Sequence, residues 1–222
     1  MVQQGKMTMR DLKVGIAVLL FLTLGVGLAS VILCWYQDPV GFSSFVVLGA
    51  LAAVAAITYT VGPSYSYVGL GDLSVFIFFG LVAVIGAEYM LSHVWSVPGV
   101  LAGVAAGCSS IMVLNVNNLR DYESDIAGGK KSVVVRIGLR NGRRYHICLF
   151  FVCVMMTVAC AVWCCSWTGL AVIPFMLPLF RSAVFTADEN HSGSALEPMM
   201  KLTSVGASIV NLALGSLLLI SV

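Results

Sequence analysis

Residues 115–138 read N-V-N-N-L-R-D-Y-E-S-D-I-A-G-G-K-K-S-V-V-V-R-I-G. They gather Arg120, Asp121, Glu123, Asp125, Lys130, Lys131 and Arg136 into one stretch of a sequence that is only 10% charged. If a helix runs through residues 117–126, Asn117, Asp121 and Asp125 recur at i, i+4 and i+8 and share one face about one turn apart, while Glu123 points elsewhere. Two carboxylates stacked this way, with an amide a turn behind, offer hard oxygen ligands to Mg²⁺. That ion takes one or two protein carboxylates and completes its shell with water and substrate phosphate. Gly128 and Gly129 break the helix and let the chain turn back, bringing Lys130, Lys131 and Arg136 round toward the same phosphate oxygens. The plainer alternative is a solvated charged loop whose cations only set membrane topology. Against it stand the cost of unpaired Asp121 and Asp125 close to the end of an apolar helix and the helical period of the Asn and Asp residues.

The elements that must position these groups are membrane spans. The 222 residues are 59% hydrophobic with a mean hydropathy of +0.99, far above the usual apolar share of a soluble domain. Seven apolar segments, 14–36, 42–61, 73–91, 97–114, 147–166, 169–185 and 202–222, each come close to the roughly 20 residues that cross a bilayer. Backbone groups in lipid must bond internally, so the segments are helices. The expected fold class is all-α, a polytopic membrane helix bundle forming one domain over residues 1–222. The first segment is too long for a signal-peptide core and lacks a small-residue cleavage site.

Alternate threading of the spans places the N-terminus and residues 62–72, 115–146 and 186–201 on one side, together with all 12 Lys and Arg residues once Arg181, near the inner end of the sixth span, is counted with them. The positive-inside rule names that side cytoplasmic and sets Trp35, Trp95, Trp163 and Trp167 at the opposite edge as an interfacial belt. The formal charge of +2 suits contact with anionic membrane lipid and gives no reason to invoke nucleic acid. The seven cysteines lie almost entirely inside spans with no C-x-x-C pair, which reads as packing and not as a zinc site or disulfide frame. His93, His146 and His191 are dispersed and are assigned no role.

Several residues outside the charged stretch also carry expectations. Thr8 is placed to cap the first helix. The loop Y-T-V-G-P-S-Y-S-Y-V-G-L-G-D at 59–72 either sets Tyr59, Tyr65 and Tyr67 at the mouth of a cavity or holds interfacial tyrosines, with Asp72 capping the next helix. Glu88 is an intramembrane acid, functional by default, or else reaches the outer interface near His93. The fourth span is rich in Gly, Ala and Ser, so neighbours approach it closely and the acidic stripe is rigidly mounted. Residues 187–201, with Asp188, Glu189 and Asn190, form either a lid or a plain solvated loop.

At N-N-L-R-D-Y-E-S-D followed by G-K-K-S-V-V-V-R-I-G, the sequence resembles the UbiA-type intramembrane prenyltransferases, whose second aspartate-rich motif has the pattern D-x-x-x-D. It is more similar to the MenA branch, which prenylates 1,4-dihydroxy-2-naphthoate in menaquinone synthesis. There the motif reads N-N-x-R-D-x-x-x-D and then G-K-x-T-L-x-V-R-x-G, and the loop G-P-S-Y-S-Y-V-G-L-G-D is similar to that branch's G-P-x-x-Y-x-G-L-G-E. The likeness extends over essentially the whole chain.

The resemblance implies nine helices around a central cavity, with acidic motifs on cytoplasmic loops after the second and sixth. The seven helices here would be the third to the ninth, which sets Asp121 and Asp125 after the sixth. The first motif, N-D-x-x-D-x-x-x-D, is absent from the sequence, so the chain is expected to be an N-terminally truncated domain with little activity alone. By the same resemblance Asp121 and Asp125 would bind Mg²⁺ bridging a polyprenyl diphosphate, with Lys130, Lys131 and Arg136 neutralising the leaving diphosphate. Asn117 and Asn118 would orient carboxylates or metal-bound water, Arg120 would bind substrate, and Tyr65 and Tyr67 would shield the allylic cation with their ring faces. The cation alkylates an aromatic acid, which in the naphthoate branch loses its carboxyl group. The expected location is a bacterial inner membrane with the active-site loops on the cytoplasmic side. Other readings are a UbiA-type enzyme with another aromatic or tetrapyrrole acceptor, an inactive fragment, or a transporter. The last would be expected to show discontinuous helices and midplane polar groups, whereas polarity here is confined to one membrane face.

Overall fold

A computed structural model describes residues 8–59 and 67–220. Among the described residues every regular element is helical, and seven helices are long and apolar enough to cross a membrane: Arg10–Trp35, Pro39–Thr58, Gly71–Ser92, Val97–Arg120, Leu139–Cys165, Leu170–Ala187 and Gly193–Leu219. The chain divides into two compact units, Met1–Ala55 and Ala56–Val222.

The first unit holds helix α1 (Met9–Trp35) and most of α2 (Pro39–Thr58). Thr8 caps α1 as expected: its hydroxyl oxygen accepts the Asp11 N–H at 3.1 Å while the Asp11 carboxylate accepts the Thr8 N–H at 3.0 Å, a reciprocal box that satisfies both donors. Trp35 departs from the interfacial expectation. Its ring is 5.4 Å from Phe45 and covers Gly41, where a Cβ would enter the indole. Trp95 and Trp163 are exposed, whereas the Trp167 side chain lies outside the described part of the structure.

In the second unit the order is α3 (Gly71–Ser92), α4 (Val97–Arg120), α5 (Tyr122–Ala127), α6 (Val133–Ile137), α7 (Leu139–Cys165) and a 3₁₀ stretch, Ser166–Met176. The stretch leads into α8 (Leu177–Ala187), a short turn at Gly193–Leu196, and α9 (Glu197–Ile220). Helix α4 is the axis, with Ala105, Met112 and Val116 fully buried and α3, α7 and α9 packed around it. Small residues make this possible. A Cβ on Gly80 of α3 would lie 2.6 Å from both the Gly103 oxygen and the Gly107 Cα of α4, so the two backbones touch. Here α3 widens into π-helical turns at Phe76–Val82. Cys108, Cys153 and Cys160 are buried in this core, and none of the seven cysteines is disulfide-bonded.

Glu88 does structural work. Its carboxylate accepts the Ser96 N–H at 3.3 Å and the Ser96 hydroxyl, while Ser96 in turn accepts the Gly99 N–H at 3.0 Å. An acid thereby sits at the positive end of α4. Gly99 leaves the room, since a Cβ there would run into that carboxylate.

Residues 188–195 are a mostly exposed loop, as the solvated reading has it, but one fastened to the helices beside it. The buried Arg143 of α7 donates to the carbonyls of Thr186 and Asp188, each at 2.7 Å, and to that of His191, closing the C-terminal end of α8. The His191 ring stacks on Phe185 at 3.7 Å. The Asn190 N–H on Asp188 holds that carboxyl below the usual carboxylate range. Leu196 is fully buried against Val116, Leu119 and Val134, directly behind the charged stretch. His146 contributes to packing as well: its Nε2 is 3.4 Å from the Ser182 hydroxyl, which is 2.5 Å from that of Thr203, linking α7, α8 and α9.

Candidate active site

Helix α4 delivers Asn117, Asn118 and Arg120, then stops at Asp121, whose φ of −92° and ψ of 10° leave the helical region. The hydrogen-bond ladder still passes through the break: the Asp121 N–H donates to the Asn117 carbonyl at 2.9 Å and the Asp125 N–H to the Asp121 carbonyl at 2.8 Å. Asn117, Asp121 and Asp125 therefore occupy successive turns, as their spacing predicts, and Glu123 is exposed and apart.

The turn after α5 is a Schellman motif. The Lys130 N–H bonds the Asp125 carbonyl at 2.9 Å and the Gly129 N–H bonds the Ile126 carbonyl at 3.0 Å, with Gly129 in the left-handed region at φ 70°. Its effect is to fold Lys130 back onto the stripe. Replacing Gly129 with valine is expected to strain this turn by roughly 1–2 kcal/mol. It should also loosen the Lys130–Asp125 contact, read as weaker binding of inorganic diphosphate; unchanged binding would detach the turn from the site.

Two cation clamps result. The Arg120 guanidinium grips Asp121 through two bonds of 2.7 Å, reaches Asn117 Oδ1 at 2.8 Å and rests against the Met200 sulfur. The Lys130 ammonium bridges Asp125 Oδ2 at 2.8 Å and Asn118 Oδ1 at 3.2 Å. The acid side chains remain accessible, 31% for Asp121 and 12% for Asp125, enough for an incoming ion to compete for them.

Other expected residues are placed differently. Arg136 does not turn toward the acids: its Nε donates to the Lys131 carbonyl at 3.2 Å and its Nη2 to the Val68 carbonyl. Lys131 is exposed, and its N–H bonds the Tyr67 carbonyl at 2.8 Å. Together these bonds fasten the 67–72 loop to residues 131–136. Gly69, at φ 82°, allows the approach, because a Cβ there would lie 2.5 Å from the Lys131 carbonyl oxygen. The Tyr67 side chain is exposed, and Tyr65 lies outside the described residues.

Among the described residues no group of three or more His, Cys, Asp or Glu side chains could hold a metal. The oxygen donors on these successive turns are two carboxylates and two amides, a hard-oxygen set of the kind suited to a cation that keeps waters and phosphate oxygens in its shell. Beside Lys130 lies a small pocket, lined also by Tyr59, Asp72, Asn118 and Ser132, that spacing within the acidic motif did not announce.

Residues 2–205 match the model of the UbiA prenyltransferase family. The chain belongs to that family. Among curated relatives of this UbiA-family protein, the 1,4-dihydroxy-2-naphthoate octaprenyltransferase of Escherichia coli (strain K12) is 37% identical, the match covering 95% of this chain and 68% of the relative. The protein of the same name from Haemophilus influenzae is 36% identical with the same coverage of each. The 2-carboxy-1,4-naphthoquinone phytyltransferase of a Synechocystis strain is 32% identical over 61% of this chain and 46% of its own length. No solved structure matches. The UbiA-family chain is thus an integral membrane prenyltransferase.

Proposed function

We propose that the protein transfers a polyprenyl group from a polyprenyl diphosphate to 1,4-dihydroxy-2-naphthoate, the step that commits this ring to menaquinone. The observation that carries the reading is the pair of acids on successive turns, each clamped with a cation and an amide. The relatives' names supply the acceptor class. The protein is placed in a bacterial inner membrane with these loops on the cytoplasmic side, where both substrates' polar ends are within reach and the lipid tail stays in the bilayer.

Asp121 and Asp125, assisted by Asn117 and Asn118, are the groups that would hold Mg²⁺. When bound, that ion supplies positive charge to the diphosphate and makes it a better leaving group. Lys130 and Lys131 add charge-assisted hydrogen bonds to the oxygens that become more negative as the allylic C–O bond breaks. The new C–C bond forms between the allylic carbon and the ring, and the acceptor's carboxyl group departs as CO₂. Arg120 holds Asp121 in place, and Arg136 holds the 67–72 loop against Lys131; both position the groups that meet substrate.

The test is an assay of membranes carrying the protein expressed from its intact gene, supplied with farnesyl diphosphate, dihydroxynaphthoate and Mg²⁺. Prenylated, decarboxylated product is expected, with loss of turnover on chelation and recovery on adding Mg²⁺. Turnover of 4-hydroxybenzoate with none of the naphthoate would overturn the acceptor, and turnover indifferent to chelator would overturn the metal.

A further inference from the structure

Asp72 lies in the first turn of α3, where an acid commonly caps its helix, yet the N-cap position is Leu70 and no side chain makes a capping bond. The residue is 7% exposed, and its Oδ2 is buried with no hydrogen-bond partner among the described residues. A buried carboxylate oxygen left without a donor is costly, and native structures retain one where a partner binds. Elements distant in sequence surround it. Tyr145 of α7 lies beside the carboxyl, and Asn118 of α4, Lys130 and Ser132 line the same pocket. The free volume is ≈ 10 Å³, space for about one water-sized oxygen. The Lys130 ammonium is already shared by Asp125 and Asn118. An anion would be repelled by Asp72, so the missing partner is a neutral donor the size of one hydroxyl.

We propose that Asp72 is the receptor for a phenolic hydroxyl of the aromatic acceptor, Oδ2 accepting that hydroxyl's hydrogen bond in the pocket shared with Tyr59, Asn118 and Lys130. This rests on the prenyl-transfer reading and adds to it a residue on the acceptor side. The bond fixes the ring's orientation relative to the acidic stripe, and a phenol that donates to a carboxylate is a more electron-rich nucleophile. The proton stays on the phenol oxygen, so no co-reactant is needed.

The experiment compares wild type, Asp72→Asn and Asp72→Ala in membranes, varying acceptor and farnesyl diphosphate separately. In Asp72→Ala the KM for dihydroxynaphthoate is expected to rise roughly 10- to 100-fold, the cost of a hydrogen bond to a charged group, with the KM for farnesyl diphosphate unchanged. Asp72→Asn, the same shape without the charge, should show a smaller rise. Of the two monohydroxynaphthoates, the one lacking the bound hydroxyl should inhibit wild type and Asp72→Ala equally. An unchanged acceptor KM, or a parallel rise in both KM values, would overturn the proposal and leave Asp72 as a support for Lys130 or the seat of a water. Should wild type refuse the naphthoate and use another phenol, the acceptor in the proposed function falls. The same KM comparison on that phenol then decides the role of Asp72 independently.

Discussion

Asp125→Ala is expected to lower prenyl transfer by roughly a thousandfold or more, since metal-borne charge stabilisation is worth several kcal/mol at about 1.4 kcal/mol per decade. Two losses combine. The stripe gives up one of its two carboxylates, and the Lys130 ammonium loses the partner that holds it at 2.8 Å. Asp125→Asn separates them: the amide keeps the shape and can still accept from Lys130, but it no longer offers a charged ligand, so activity should remain near the alanine level. Asp121→Ala is expected to fall as far, with Arg120 released from its two-point grip. Single-turnover formation of prenylated product, with the protein in membranes at saturating Mg²⁺, is the measurement. Turnover within tenfold of wild type in either alanine variant would remove these two acids from the metal assignment.

The second large effect is on stability. Arg143→Ala strips three backbone carbonyls, those of Thr186, Asp188 and His191, of the guanidinium that satisfies them at the end of α8. Buried acceptors without donors and the loss of charge-assisted bonds should together cost about 3 kcal/mol or more. For a protein of this size that corresponds to an apparent melting temperature in detergent lower by roughly 10 °C. Arg143→Lys should recover only part of it, because one ammonium cannot span what a planar fork spans. A midpoint within a degree of wild type would show that water or neighbouring donors already serve these carbonyls.

The spans were legible because lipid leaves the backbone few choices, so hydropathy and length alone located all seven helices to within a few residues at most ends. Helix α4 runs on through Asn117–Arg120, as the helical reading of 117–126 requires, whereas α7 starts at Leu139, well before its apolar run, since helix continues wherever its polar face finds partners. The acidic period was legible because four residues make about one turn. The clamps were less so. Arg120 is adjacent to Asp121 in sequence, and neighbours on a regular helix do not face one another; it is the helix break at Asp121 that brings them together. Arg136, Arg143 and Glu88 were opaque for one shared reason. Each is matched to backbone groups, the carbonyls of Val68 and of residues near position 188 or the N–H of Ser96, and the side-chain alphabet does not encode where an unsatisfied backbone group will arrive. Asp72 was visible as a letter in the loop motif but not as a group missing its donor, which only burial reveals.

The ammonium of Lys130 belongs to two neighbourhoods, bonded to Asp125 on one side and walling the Asp72 pocket on the other. Whatever loads the first draws on the tether that shapes the second. Displacing Lys130 from Asp125 would therefore also open one wall of the Asp72 pocket.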